Sequence, residues 1–153
     1  MPALQFVVQG GHRLSGRIRP SGNKNAALPI VAAALLCEEP VYLENVPRIR
    51  DVETLVELLR SVGASAEWSS RNALTIHAKT LRASELDPVL CRKIRASIFL
   101  AAPLLARCGE IQLPPPGGDV IGRRRVDTHF LALEQLGATF SLEDSFVLRA
   151  KAL

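Results

Sequence analysis

At 153 residues, 48% apolar and 22% charged, the chain has the composition of one globular domain or two small units, which excludes a wholly disordered polymer. Its formal net charge is +4, and all but four of its 19 basic residues are arginine, the lysines being Lys24, Lys79, Lys93 and Lys151. Arginine fits phosphate and carboxylate because its planar fork donates two parallel hydrogen bonds, although a compositional bias of the genome would give the same count. No stretch reaches the roughly 18 unbroken apolar residues of a membrane span. The N-terminus has no basic start followed by an apolar run, so a cytoplasmic setting is expected. Cys37, Cys91 and Cys108 are odd in number, lack metal-ligand spacing and have apolar neighbours, which predicts reduced, buried thiols.

In chain order, "LQFVVQG" and "LSGRIRP" alternate as a hairpin would and set residues 1–20 apart. A long apolar helix is predicted over 24–37, then a strand over 40–44, a helix over 51–62 and two strands in "SAEW" and "ALTIHA". The same succession returns: a helix over 91–107, a strand over 109–113, a helix over 125–136, and strands in "ATFSL" and "SFVLRA". The second copy follows the first at an offset of 74 residues from Val52 to Val126, and Gly63-Ala64 recurs as Gly137-Ala138, a helix C-cap signature. Upstream the offset is 70, which aligns Asn25 with Arg95. The four added residues fall in the Pro-Gly loop near Asp119. Residues 21–88 and 89–153 are therefore read as two repeat units. "NAALPIVAAALL" is apolar on every face, and such a helix must be covered on all sides. That predicts helices inside and sheets outside, with Pro29 and Pro103 bending their helices.

Three stretches carry candidate chemistry. "PSGNKNAALP" sets Lys24 and Asn25 at a helix start, where free amides and positive potential attract anions; a plain turn with a solvated lysine is the alternative. In "CRKIRAS", the stripe Ile94, Ile98, Ala101, Leu105 is core, and Arg92, Lys93 and Arg95 read as a solvated helix end before they read as a site. In "PPPGGDVIGRRRVDTH", Gly117 and Gly118 permit loop motion, and Asp119 is either a proton donor or one charge of a surface loop. A closed, dry site would raise its pKa and the following arginines would lower it. No aromatic platform accompanies Arg123, Arg124 and Arg125, which argues against nucleic acid. His12, His77 and His129 have neither metal spacing nor a nucleophile partner and read as ordinary polar positions.

Taken together, "VQGGHRLSGRIRPSG", "SGNKNAALPIVAAALL", "VPRIRDVETL", "IRASIFLAAPLLARCG" and "PGGDVIGRRRVDTHFLALEQLGA" resemble the UDP-N-acetylglucosamine enolpyruvyl transferase family along the whole chain. The sister 5-enolpyruvylshikimate-3-phosphate synthases share the fold and fit these motifs less well. The resemblance implies an α+β fold, an inside-out α/β barrel of βαβαββ units with helices buried and sheets outside, of which about two of six units are present here. In the full fold, residues 1–20 would join the other domain. The implied reaction moves the enolpyruvyl group of phosphoenolpyruvate to the 3′-hydroxyl of UDP-N-acetylglucosamine, the first committed step of peptidoglycan synthesis. No metal or cofactor is expected, nor a nucleic-acid or membrane partner. By the family pattern, Asp119 is the proton donor, acting with Lys24 and Arg95. Lys24, Asn25 and Arg124 hold phosphoenolpyruvate. Arg95, Arg124, Arg125, Val126, Asp127 and Thr128 bind the sugar nucleotide. Asp119 stands where the family usually has cysteine, the thiol that fosfomycin alkylates, which implies fosfomycin insensitivity. Arg125 stands where proline is usual. The remaining four units are absent from the chain, so alone it is expected to be inactive, with the missing portion supplied as a separate chain or not at all. A non-catalytic binding module or a truncated relic is the alternative.

Overall fold

The computed structural model describes residues 5–82, 85–118, 125–142, 144–151 and 153. Helix α1 (Lys24–Ala33) runs into a 3-10 turn (Ala34–Leu36) and strand β1 (Val41–Leu43), followed by α2 (Arg50–Ser61), β2 (Ser65–Ser70) and β3 (Ala73–His77). The second half has α3 (Pro88–Lys93), a 3-10 segment (Arg95–Leu100) continuing into α4 (Ala101–Cys108), then β4 (Glu110–Leu113), α5 (Asp127–Gln135), β5 (Thr139–Leu142) and β6 (Phe146–Arg149). Each half ends in an antiparallel three-stranded sheet of the same order, β1-β3-β2 and β4-β6-β5. Alternation along β3 buries Leu74 and Ile76 against the helices, and Ile111, Leu113 and Leu148 do the same in the second sheet. The helices thus share one core between the inner sheet faces, as the pattern predicts.

The repeat is visible at the helix ends. Gly63 and Gly137 take φ of 96° and 99°, a left-handed turn that a Cβ disfavours. Ala64 N–H then reaches back to the Leu59 carbonyl, and Ala138 N–H to that of Leu133, at 3.1 and 3.0 Å. α5 is fixed to its sheet by Phe130, whose ring centroid lies 4.7 Å from those of both Phe140 and Phe146. Arg107 ties the halves together: its guanidinium donates to the carbonyls of Leu35 (2.8 Å), Ala78 (3.0 Å) and Lys79 (3.2 Å).

Four expectations need correction. Residues 5–20 form no hairpin, and Phe6 is 99% exposed, because a lone ribbon with nothing to pack on gains too little burial. Helix α1 is not covered on every side. Ala27, Leu28, Val31 and Ala32 are buried, but Ala26, Ile30 and Ala33 form an exposed stripe continued by Leu36, with Ile30 at 51%. The two sheets and the neighbouring helices simply do not reach round it. The helix expected over 91–107 is broken at Ile94, which is extended at φ −137°, ψ 141°. Asp87 caps α3 as a separate short helix, its carboxylate accepting from Val89 and Leu90 N–H. Pro103 falls three residues into α4, just after the 3-10 segment. Finally, Cys37 is exposed; only Cys91 is fully buried.

Burial pushes the Cys91 thiol up from 9.0 to about 11. The unfolded chain therefore loses this proton first. The stability the neutral thiol contributes is complete below pH 9 and falls away as pH rises towards 11, by about 2–3 kcal/mol at most. In native protein at pH 8, iodoacetamide is expected to label Cys37 and spare Cys91, with Cys91 labelled only in denaturant. Equal labelling rates for the two would contradict this burial.

Candidate functional site

The starts of α1, α2, the 95–108 helical segment and α5 converge on one cavity of about 500 Å³. Lys24 and Asn25 reach it from α1, Asp51 from α2, Arg95 from the 3-10 segment, and Arg125 and Val126 from the chain entering α5. Leu28, Ile98 and Phe99 give it an apolar floor. Lys93, exposed at the end of α3, also lines it. Four cations thus face one carboxylate among the described lining residues, so the cavity attracts anions.

How these charges are held matters. The Asn23 side chain caps α1, accepting from Asn25 N–H (2.8 Å) and Ala26 N–H (3.1 Å). Those amides are therefore occupied, and at this end the pull on an anion comes from the Lys24 ammonium. Lys24 pairs with Asp51, which sits in the first turn of α2, where the helix dipole favours a carboxylate. Arg95 donates through Nη2 to the Arg125 carbonyl at 3.0 Å and so ties two cavity walls together. The Arg125 side chain is turned onto Asp127, with Nε donating to both carboxylate oxygens at 2.9 and 3.0 Å. The fork holds the Asp127 carboxyl below the usual carboxylate range and raises Arg125. α5 itself starts without a side-chain cap from Val126.

Of the residues expected to act, Lys24, Asn25, Arg95, Arg125 and Val126 are brought together. Asp127 stands behind Arg125, and Thr128 is exposed at the start of α5 and does not line the cavity. Asp119, Arg123 and Arg124 lie outside the described residues. Asp51, Phe99 and His129 line the cavity without having been expected there, His129 edge-on to Phe99 at 6.2 Å. The repeat held a signal for Asp51, since the offset of 74 sets it opposite Arg125. Among the described residues no cluster of three or more His, Cys, Asp or Glu suits a metal, and no helix is long and apolar enough to cross a membrane.

The stem of the loop that follows is docked on this wall. Gly117 N–H donates to the Cys91 carbonyl at 3.0 Å and Gly118 N–H to that of Arg92 at 3.2 Å, filling acceptors that the broken helix leaves open. A Cβ on Gly117 would run into the Arg92 backbone, and Gly118 takes φ +87°. These glycines serve close approach to the Arg92 backbone and an unusual backbone angle.

The fold and this cavity define an α+β protein of repeated units with a cationic cleft, and the comparisons give the family. The family model for EPSP synthase (3-phosphoshikimate 1-carboxyvinyltransferase) matches residues 8–151, and the chain belongs to that family. It is 71% identical over all 153 residues to the UDP-N-acetylglucosamine 1-carboxyvinyltransferase of Bradyrhizobium diazoefficiens, of which it covers 36%. It is 48% identical over 149 residues to the protein of that name from Treponema denticola, covering 97% of this chain and 35% of that protein. The crystal structure of the enolpyruvyl transferase NikO from Streptomyces tendae superposes with a TM-score of 0.75 at 32% identity, over 94% of this chain and 32% of that one. EPSP synthase from Acinetobacter baumannii, at 15% identity and a TM-score of 0.62 over 89% of this chain and 32% of that one, shares the fold. The chain thus spans about a third of the length of the curated relatives it matches.

Gly117→Ala is expected to release the stem. In hydrogen-exchange NMR the amides of 117 and 118 should be protected in the unchanged chain and exchange at least tenfold faster in the variant, which should lose about 1–3 kcal/mol of stability. Unchanged protection in Gly117→Ala would contradict the docking.

Proposed function

We propose that this chain supplies the phosphoenolpyruvate- and nucleotide-binding part of a UDP-N-acetylglucosamine 1-carboxyvinyltransferase acting in the cytoplasm. The enzyme would join the enolpyruvyl group of phosphoenolpyruvate to the 3′-hydroxyl of the sugar nucleotide and release phosphate, at the entry to peptidoglycan synthesis. The observation that carries this reading is the convergence of Lys24, Asn25, Arg95 and Arg125 on one cavity in a chain 71% identical to a protein of that name. In this reading Lys24 and Asn25, with Arg124, hold phosphoenolpyruvate. Arg95, Arg124, Arg125 and Val126 hold the nucleotide, with Asp127 and Thr128 beside them. Residues 21–88 and 89–153 are two repeat units, residues 1–20 belong with the other domain, and the exposed Ala26–Ile30–Ala33 stripe is where a further unit would pack. The remaining two thirds, in the same chain or a separate one, would complete the cleft.

Chemically, the cations have two tasks. They bind the phosphate and carboxylate of phosphoenolpyruvate, and they offset the charge that the phosphate takes with it on leaving. As the sugar hydroxyl adds at C2 and gives up its proton, the C3 methylene takes one, which Asp119 is assigned to give; a C3 proton and the phosphate then leave together and restore the double bond. Closure over bound substrate would dry the loop and raise the Asp119 pKa, against the arginines that lower it. A carboxylate in place of a thiol keeps the acid and gives up the strong nucleophile, so an epoxide such as fosfomycin finds no ready target.

The test is a chimera of residues 1–153 with the remaining two thirds of the Bradyrhizobium protein, assayed for phosphate release. Asp119→Asn is expected to lower turnover by about a hundredfold or more, and Asp119→Cys to stay active and become fosfomycin-sensitive. Full activity of the Asn form, or covalent labelling of the Asp119 form by fosfomycin, would overturn the assignment. The 153-residue chain by itself is expected to bind without turnover, and steady phosphate release from it would overturn the need for a second half.

A further inference from the structure

We propose that Lys93 is a further ligand-contacting residue of this cavity, giving its ammonium to an anionic oxygen, phosphate or carboxylate, of the bound molecule. The proposal rests on the reading of the cavity as an anion site. Three of the four cations lining it already have protein partners: Lys24 has Asp51, Arg125 has Asp127, and Arg95 has the Arg125 carbonyl. Among the described residues nothing pairs with Lys93. A basic residue closing a helix favours the helix dipole wherever its side chain points, and that would account for Lys93 as a purely structural feature. Its neighbour Arg92 meets the same requirement in the same last turn yet does not line the cavity, whereas Lys93 does. The backbone leading to Lys93 is held in place. The loop stem is hydrogen-bonded to the carbonyls of the two residues before it, and Gly118 and Ile94 line the cavity beside it. An ammonium at a cavity wall with no carboxylate partner among the described residues is the group for which an incoming anion costs the protein no existing ion pair. Lys24 must share its charge with Asp51, and Arg125 must leave Asp127 or reach past it.

The test uses the four lysines, Lys24, Lys79, Lys93 and Lys151, of the chain. Reductive ¹³C-methylation keeps each charge and gives each lysine an NMR signal. On adding phosphoenolpyruvate or, in a second arm, UDP-N-acetylglucosamine, the Lys93 and Lys24 signals should shift and those of Lys79 and Lys151 should stay. The arm in which Lys93 moves at the lower ligand concentration identifies the molecule it serves. By calorimetry Lys93→Met should weaken that ligand about three- to tenfold, Lys93→Arg should recover most of the loss, and Arg92→Gln should change it less than twofold. If the unchanged chain binds a probe while the Lys93 signal is still and Lys93→Met binds equally well, the proposal for Lys93 falls and the cavity reading stands. If neither probe binds, the cavity reading falls and takes this proposal with it.

Discussion

The cavity depends on the packing of α1 against the helical segment 95–108. Val31 of the first and Leu35 of the 3-10 turn that follows it, with Leu100, Leu104 and Leu105 of the second, are fully buried in a single core. Burying side chains of this size contributes roughly 1.5–3 kcal/mol each, which leaves the two helices no freedom to slide. Their starts are thereby set side by side, and with them Lys24 and Asn25 on one wall and Arg95 on the other. The polar residues do not assemble the site; the apolar stripes beneath them do, and the charges ride on their ends.

Holding four cations around one cavity raises a problem of mutual repulsion, and the structure meets it locally. Asp51 and Asp127, each in the first turn of a helix, accept one cation each, and Arg95 spends a donor on a backbone carbonyl. These pairs are exposed enough that each contributes little to stability. Their effect is to aim side chains that would otherwise sample many rotamers, which lowers the ordering cost when an anion arrives.

Much of the fold was legible in the sequence because the chain says it twice. The Gly-Ala pairs at 63–64 and 137–138, the helical stripe from Ile98 to Leu105 and the strand alternation in "ALTIHA" are local signals, and local physics decides them. What was not legible has distant causes. The break at Ile94 is sealed by donors from Gly117 and Gly118, more than twenty residues downstream. The bare stripe on α1 depends on which elements happen to surround it, and apolar composition alone cannot say that a side is left open. Lys24 and Asn25 were found at a helix start, and Arg95 only through the family resemblance. Lys93 and Asp51 were missed because the direction of a side chain at a helix end is set by the neighbouring element.

The central claim is that anionic substrate enters this cavity and no other basic hollow of the molecule. Its most direct test is a map of backbone amide shifts in the ¹⁵N-labelled chain as UDP-N-acetylglucosamine is added. The account predicts that the perturbed amides cluster at 24–28, 93–99 and 125–129, and that the basic hollows around Arg60, Gly63 and Arg82 and around Arg149 and Lys151 stay unmoved. Shifts centred on Arg60 and Arg82, or scattered along the arginines of residues 13–19, would contradict it.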